Sequence, residues 1–272
     1  MNYISFDFET TDSNQAEQLV ALLSEQDFEG FEETDQHLKA FVKEDLFDET
    51  SFKSIEILFP SLIFKRTIIE NINWNKQWEE SFEPVIIKDF AAIRATFHQP
   101  ILNVQHEIII TPKMSFGTGH HATTHLVIEQ MQQIDFTGKT VLDFGTGTGV
   151  LAILAEKLGA AKVLAIDNDQ WSINNAQENV LQNNCTKIII ELHDAVPPGQ
   201  NYDVILANIN LNVITASLPA IASIANTGCA IIFSGFFKEN EAALVADIKK
   251  VGIQHRTTLQ KGDWITITGI KL

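Results

Sequence analysis

Short apolar runs alternate with helical stretches through the second half of the chain. The runs occupy 141–144, 162–167, 187–192, 202–208 and 229–235. Runs this apolar are typical of a parallel sheet that is covered by helices on both faces. Beyond them, alternating segments flank the turn residues Lys261, Gly262 and Asp263, a pattern that predicts a hairpin. We therefore predict an α/β fold with a Rossmann-like sheet, mostly parallel, and an antiparallel hairpin at its edge.

The first 70 residues follow a different pattern. Residues 3–9 alternate apolar and polar side chains as a half-buried strand does, and Ser13 or Asn14 then precedes apolar residues at helical spacing. Three more segments follow, namely a strand-like run at 37–42, an amphipathic stretch at 45–58 and an apolar run at 62–69. This mixture predicts a small α+β domain of two helices on a short sheet, ending near Glu70.

An aromatic stripe comes next along the chain. Trp74, Trp78 and Phe82 recur every four residues until Pro84, which predicts a linker helix over 71–84. A stripe at this spacing indicates a helix packed on a domain, and the alternative is an aromatic clamp for a substrate. We expect three parts: an α+β domain at 1–70, the linker helix at 71–84 and the α/β domain at 85–272.

Charge is distributed unevenly between these parts. The chain has a formal net charge of −16, and residues 1–60 contain 15 of its 35 acids but three of its 19 bases, a local charge of 3 − 15 = −12. The remainder carries 16 − 20 = −4, so neither part has the basic surface that a nucleic-acid phosphate backbone requires. The acidic domain favours encounter with a basic protein partner, although its acids could serve solubility alone.

Other features of composition exclude several classes of protein. No apolar run approaches the roughly 18 residues of a membrane span, and the first twelve residues lack the basic and apolar regions of a signal peptide. Cys185 and Cys229 form neither a disulfide framework nor a metal-ligand spacing. We expect a cytoplasmic protein that holds no metal and does not associate with membranes.

The first candidate site is a glycine-rich loop. The apolar run VLDF is followed by Gly145, Gly147 and Gly149 at alternate positions and then by an apolar helix. Glycines between a strand and a helix N-terminus let a ligand approach the backbone closely. A tight turn without a ligand or a dinucleotide site would produce the same pattern, so the loop alone does not decide between them.

Polar residues after three other strands narrow the choice. Asp167 ends the second strand, where a carboxylate can accept two hydrogen bonds from a ribose diol. Asp194 follows the third strand and suits an adenine amino group, while Asn208 ends the fourth strand with an uncharged amide. Carboxyl ends of parallel strands share one edge of a sheet, so these side chains should surround one nucleoside cofactor.

Together these residues resemble the class I S-adenosylmethionine methyltransferases. VLDFGTGTG is similar to their first motif, with Asp143 just before the glycines, and differs from the G-x-G-x-x-G of dinucleotide enzymes. The resemblance implies S-adenosylmethionine as cofactor, with the glycines beside its methionine part.

A second motif narrows the resemblance to one family. The segment 116–124, FGTGHHATT, is similar to the FGTGTHPTT segment of the bacterial family that methylates large-subunit ribosomal protein eleven. Segments ANI at 207–209, SG at 234–235 and W-x-x-x-x-G at 264–269 occur there too. His120 and Ala122 depart from the family's Thr and Pro, and without the proline we expect the loop before Thr124 to be more mobile than in the family pattern.

The resemblance implies an activity and the residues that support it. The expected substrates are lysine and N-terminal amines of that basic ribosomal protein, which the N-terminal domain would recognise. Cofactor contacts would fall on Thr124 toward the methionine carboxylate or amine, Gly145 through its backbone, Asp167 on the ribose, and Asn208 near the sulfonium. Gly147 and Asp194 complete the expected cofactor site.

The residues in this site predict catalysis by positioning. Asn208 cannot act as a base, so it would orient the amine nitrogen in line with the methyl group and the sulfur. His120, His121 and His125 could relay a proton, but they could equally cap or pack the loop, and we assign no general base.

Two other functions fit part of the pattern. A methyltransferase acting on a release-factor glutamine or an RNA base amino group would share the Asn-containing edge, but such relatives usually carry N-P-P-Y where this chain has Asn208, Ile209 and Asn210. A cofactor-binding module without catalysis is the alternative of another class.

Overall fold

The computed structural model describes residues 2–10, 13–34, 36–69, 82–113 and 117–272. The chain divides into two compact units, Met1–Phe82 and Glu83–Leu272. Most of the linker helix predicted over 71–84 lies at 71–81, outside the described residues, and its last three positions, 82–84, are not helical. No helix among the described residues is long and apolar enough to cross a bilayer.

The first unit has the β-α-β-β-α-β order of a ferredoxin-like domain. Its elements are β1 (Tyr3–Glu9), α1 (Ser13–Ser24), β2 (Phe28–Glu33), β3 (His37–Lys43), α2 (Glu49–Leu58) and β4 (Phe64–Ile69), and its antiparallel sheet has the order β2-β3-β1-β4. Strand alternation turns Ile4, Phe6 and Phe8 inward, where they are at most 1% exposed. This unit agrees with the predicted α+β class.

Strand β2 was not predicted from the sequence. Its segment, FEGFEE, has three acids and a glycine, which are rare in strands, and only Phe28 is buried. It pairs with β3 through backbone hydrogen bonds, with a register shift between Phe28 and Gly30. Backbone pairing with β3 therefore stabilises β2 as a strand, although its side-chain pattern does not predict one.

The second unit begins with a three-stranded sheet and continues as alternating strands and helices. The small sheet comprises β5 (Val85–Ile87), β6 (Ala91–Ala95) and β7 (His106–Ile110). The large sheet and its helices comprise α3 (Ala122–Met131), β8 (Thr140–Phe144), α4 (Val150–Lys157), β9 (Lys162–Asp167), α5 (Gln170–Gln182), β10 (Ile188–Leu192), β11 (Tyr202–Asn208), α6 (Leu211–Ile224), β12 (Ala225–Phe237), α7 (Glu241–Lys250), β13 (Ile253–Lys261) and β14 (Trp264–Lys271).

The large sheet has seven strands in the order β10-β9-β8-β11-β12-β14-β13. Strands β10, β9, β8, β11 and β12 are mutually parallel, whereas β14 runs antiparallel to both β12 and β13. The predicted fold class is confirmed, including the antiparallel hairpin at the edge.

The strand order also decides which residues meet. The carboxyl ends of the five parallel strands lie at one edge, and Trp264, which begins the antiparallel β14, pairs with Phe237 at that same edge. Pairs Asn208–Ser234 and Leu192–Asp167 lie there as well. Residues far apart in sequence are thus brought to one side of the sheet.

Candidate functional site

A cavity of about 420 Å³ opens at this edge of the sheet. Its volume falls within the range of roughly 300–1,000 Å³ that is common for small-molecule sites. Its walls are His121, Phe144, Gly145, Gly147, Asp167, Asn168, Ser172, His193, Asp194, Asn208, Ile209, Asn210, Val213, Gly235 and Trp264. The cavity runs along the strand ends in the order β10, β9, β8, β11, β12 and β14, so it is an elongated site.

Asp167 lies at one end of the cavity with its carboxylate already oriented. Its Oδ2 accepts a hydrogen bond of 2.9 Å from the backbone N–H of Gly147, and its Oδ1 accepts one of 3.1 Å from the N–H of Asp169. Each carboxylate oxygen has two acceptor positions, so both can also accept from a ligand hydroxyl. Asp167 therefore ties the glycine loop to the start of α5 while remaining able to bind a diol.

The glycine loop is shaped by close packing against Ile209. A Cβ on Gly145, which has φ +78°, would stand 2.1 Å from Cγ2 of Ile209. A Cβ on Gly235 would stand 2.1 Å from the carbonyl oxygen of the same residue. Ile209 thus fits between two strand ends where only glycine leaves enough room, and this packing holds the preceding Asn208 in place.

Asn208 lies between the two ends of the cavity. It is 7% exposed, and its Nδ2 donates to Oγ1 of Thr124 at 3.4 Å. Its Oδ1 is buried and has no hydrogen-bond partner among the described residues. A buried amide oxygen without a partner is costly, and a donor from a bound molecule would satisfy it.

Thr124 occupies the first turn of α3 and is 1% exposed. It contacts Asn208 from behind and does not belong to the cavity walls, whereas Gly145, Gly147, Asp167, Asp194 and Asn208 do. The fold therefore brings five of the six predicted site residues to the cavity surface and the sixth into contact with one of them.

His120 and His121 lie just before α3, and His125 lies within it. His121 is the N-cap of α3, since its Nδ1 accepts from the N–H of Thr123 at 3.4 Å. His120 has Nδ1 3.2 Å from Oγ1 of Thr118 and Nε2 2.9 Å from the carbonyl of Glu83. Burial lowers the pKa of His125, which lies outside the cavity walls. The lone pair of His121 Nδ1 is thus occupied by the helix.

Asp143 is enclosed beneath the glycine loop. It is 0% exposed, and its Oδ2 accepts a hydrogen bond of 2.6 Å from Oγ1 of Thr146. Burial raises the pKa of this carboxyl to about 7, and the negative charge of Asp167 adds to the increase. Above about pH 7 the folded protein therefore contains a buried, ionised carboxylate, and its burial lowers the free energy of unfolding.

Replacing Asp143 by Asn should flatten the pH dependence of stability. The unfolded carboxyl titrates near pH 3.9, so folding strengthens its proton binding, and the free energy of unfolding falls as pH rises through about 7. The total loss, about 4 kcal/mol, accumulates between about pH 4 and pH 7 and levels off above pH 7, and Asp143→Asn should avoid most of it. Urea unfolding between pH 5 and pH 8 covers roughly 2–3 kcal/mol of this loss and measures the difference.

Asp203 provides a control of opposite sign. Hydrogen bonds from Thr140 lower the pKa of Asp203, so its contribution to stability is present above the unfolded pKa and is lost as pH falls. Asp203→Asn should therefore destabilise the protein at pH 8. Equal pH profiles for the Asp143→Asn variant and the wild type would contradict the account of Asp143.

A buried asparagine connects the glycine loop to Thr111, the residue that follows β7. Asn179, 0% exposed on α5, accepts from the N–H of Thr111 at 2.7 Å and donates to the carbonyl of Thr148 at 2.8 Å. Thr148 in turn donates through Oγ1 to the carbonyl of Gly117 at 2.7 Å. One side chain thus fixes two of the segments that shape the cavity.

Asn179→Leu should weaken cofactor binding beyond its effect on folding. Loss of the bond to Thr148 leaves the glycine loop less ordered. A loss of about 1.4 kcal/mol in binding free energy raises the Kd for S-adenosylmethionine about tenfold. The matched control is Asn183→Leu, because Asn183 bonds the backbone of Ile109 in the same manner but does not touch the glycine loop. Calorimetric titration of both variants measures Kd, and equal values would refute this role of Asn179.

Several cavity residues were not predicted from the sequence. Asn210, Gly235 and Trp264 were noted as parts of motifs but were not assigned to the site, and Ser172 was not singled out. Gly235 follows Ser234, the residue of β12 that pairs with Asn208 at the end of β11, so its position follows from the strand order. Trp264 could have been found by recognising that an antiparallel final strand begins where the parallel strands end.

Comparisons with known proteins identify similar chains. Residues 4–271 match the family described as "Ribosomal protein L11 methyltransferase (PrmA)". The ribosomal protein L11 methyltransferase of Phocaeicola vulgatus is 37% identical over 276 residues, which cover 98% of each chain. That of Chlorobaculum parvum is 37% identical over 277 residues, 97% of this chain and 95% of the relative.

Solved structures agree with the fold. The crystal structure of a ribosomal protein L11 methylase from Lactobacillus delbrueckii subsp. bulgaricus aligns with a TM-score of 0.65 at 28% identity, covering 70% of this chain and 100% of that one. A methyltransferase from Pyrococcus furiosus, with a TM-score of 0.51 and 18% identity over 60% of this chain and 89% of its own, shares the fold.

Proposed function

Because this chain belongs to the ribosomal protein L11 methyltransferase family and so uses S-adenosylmethionine as methyl donor, we propose that it methylates lysine and N-terminal amines of ribosomal protein L11. The observation that carries the proposal is the buried Oδ1 of Asn208 at the cavity wall, which accepts no hydrogen bond from any residue that the structure describes. It is an acceptor for an N–H group, and an amine substrate supplies one.

The residues of the cavity fit S-adenosylmethionine. Asp167 would hold the ribose hydroxyls, and Asp194, exposed at the end of β10, would accept from the adenine amino group. Gly145 and Gly147 offer backbone at the centre, beside Asn208 and Thr124, where the methionine part would lie. When bound, S-adenosylmethionine supplies a methyl group made electrophilic by its attachment to a positively charged sulfur.

The protein would contribute orientation and partial desolvation. A lysine amine has a pKa of about 10.4, so making it neutral at pH 7 costs about 4.6 kcal/mol, whereas an α-amine near 7.8 costs about 1 kcal/mol. The aliphatic side chains of Ile209 and Val213 in the cavity wall disfavour the charged form and offset part of this cost. Asn208 Oδ1 would then accept from the neutral amine and aim its lone pair at the methyl group.

Charge supports the choice of a basic protein substrate. The −12 of residues 1–60 is concentrated in the first unit, where acids such as Glu17, Glu32 and Glu33 are exposed. Long-range attraction to a basic protein would raise the encounter rate. We include in the proposal that this unit docks L11 and thereby presents its amines to the cavity of the second unit.

A transfer assay with isotopically labelled S-adenosylmethionine tests the proposal. The acceptors are purified L11, other ribosomal proteins, a release factor and ribosomal RNA. Label on L11 in preference to the rest is expected, with a KM for L11 that rises with ionic strength because screening weakens the docking. Label on the release factor or on RNA alone would show that L11 is not the substrate. Cofactor binding without any transfer would indicate a non-catalytic module.

A further inference from the structure

The end of the cavity beyond Asn208 has a wall that the proposed cofactor contacts leave unused. It is formed by His121, Val213, Gly235 and Trp264, at the ends of β12 and β14 and the starts of α3 and α6. The cofactor contacts proposed above extend from Asp194 to Asn208, so the methyl acceptor must enter from this other end. The wall therefore faces the accepting nitrogen.

Aromatic rings dominate this wall and support one another. The Trp264 and His121 rings lie 4.6 Å apart at 72°, an edge-to-face arrangement, and the Phe237 ring lies 4.2 Å from Trp264 at 38°. Phe237 is also the cross-strand partner of Trp264. The indole of Trp264 is thus held between two other rings at the cavity surface.

Charge is distributed asymmetrically along the cavity. Its two carboxylates, Asp167 and Asp194, both lie at the far end, and the acceptor end has none among the wall residues in the described part of the chain. A carboxylate there would hold an amine in its protonated, unreactive form. An aromatic face, by contrast, attracts positive charge without accepting a hydrogen bond.

We propose that Trp264 forms a cation–π subsite that holds substituted amines, and that tertiary amines depend on it more than primary amines do. This inference rests on the proposed function, in which the acceptor is an amine. The nitrogen lone pair forms the new N–C bond, the S–C bond breaks with its electron pair going to sulfur, and the nitrogen becomes positive. The proton of the resulting ammonium leaves to solvent before any further transfer.

Two groups can stabilise the positive charge that develops on nitrogen. A primary or secondary amine keeps an N–H that donates to Oδ1 of Asn208. A tertiary amine has no N–H, so Asn208 cannot orient it, and the face of Trp264 remains as the stabilising group. A cation–π contact in a desolvated site contributes about fivefold to thirtyfold in binding or rate.

The test compares unmodified L11 with L11 whose amines have been converted to dimethylamines by reductive methylation. The Trp264→Leu variant should lose about fivefold to thirtyfold more kcat/KM on the dimethylated protein than on the unmodified one. Trp264→Phe should recover part of the difference because it restores an aromatic face. Trp171→Leu, at an exposed tryptophan that is not part of the cavity wall, should match the wild type on both substrates.

Equal losses on both substrates in the Trp264→Leu variant would overturn the inference, because a structural role would affect them alike. A second test measures the binding of a small cation and does not require L11 to be the substrate. In the presence of S-adenosylhomocysteine, the wild type should bind tetramethylammonium more tightly than the neutral tert-butanol, and Trp264→Leu should remove that preference. No preference in the wild type would refute the subsite, whereas absence of label on L11 would refute the proposed function alone.

Discussion

Asn208→Ala should lower the kcat for methyl transfer by about 10²- to 10³-fold, the cost of removing one group that orients reactants in a preorganised site. Asn208 is 7% exposed, and its buried Oδ1 has no hydrogen-bond partner in the described part of the chain. Its loss removes the bond that aims the amine. The Kd for S-adenosylmethionine should change by less than about tenfold, because Asp167 and the glycine loop remain. Single-turnover kinetics and calorimetric titration measure the two quantities separately.

Asn210 is the matched control for this substitution. It lies two residues later in the same loop and also lines the cavity, but its Oδ1 accepts from the N–H of Val213 and caps α6. Asn210→Ala should therefore cost about 1 kcal/mol of stability and leave most of kcat intact. Similar losses of kcat in the two variants would refute the orienting role of Asn208.

Asp167→Ala should raise the Kd for S-adenosylmethionine by about 10²- to 10⁴-fold. Two hydrogen bonds from a ribose diol to a carboxylate contribute about 1.5–3 kcal/mol each, and the same substitution releases the N–H of Gly147 from its partner. The variant should recover activity at high cofactor concentration, because the acceptor end of the cavity is unchanged. Titration calorimetry and the KM for S-adenosylmethionine provide the measurement.

The neighbouring Asp169 controls for charge and for helix capping. Its carboxylate accepts from the N–H groups of Trp171 and Ser172 as the N-cap of α5 and does not line the cavity. Asp169→Ala should lower stability by about 0.5–2 kcal/mol with little change in cofactor affinity. If both variants lost cofactor affinity equally, Asp167 would affect binding by holding the start of α5 in place, and not by bonding the ribose.

The parallel strands of the fold were predictable because burial on both faces leaves an apolar signature. The runs at 162–167 and 202–208 were predicted with the bounds that the structure has. Strand β2 was not predicted, because its acids face solvent and its pairing with β3 is a backbone effect. Side-chain periodicity reports burial and does not report backbone pairing.

The candidate site was predictable where each residue follows its own strand. Asp167, Asp194 and Asn208 were placed by the rule that ligands bind at the carboxyl ends of parallel strands. Trp264 was missed because its position depends on the direction of β14. Asn179 was missed because a helical asparagine usually faces solvent, and only the tertiary structure reveals its bonds to Thr111 and Thr148.

Mass-spectrometric mapping of L11 after reaction tests most directly whether this cavity transfers methyl groups to amine nitrogens of L11. L11 is incubated with the protein and S-adenosylmethionine, then digested and fragmented. Methyl groups confined to lysine side chains or the N-terminal amine, and formed about 10²- to 10³-fold more slowly by the Asn208→Ala variant under single-turnover conditions, are the predicted result. Methyl groups on oxygen, sulfur or amide nitrogen, or an unmodified L11 with an enzyme that binds S-adenosylmethionine, would contradict the account.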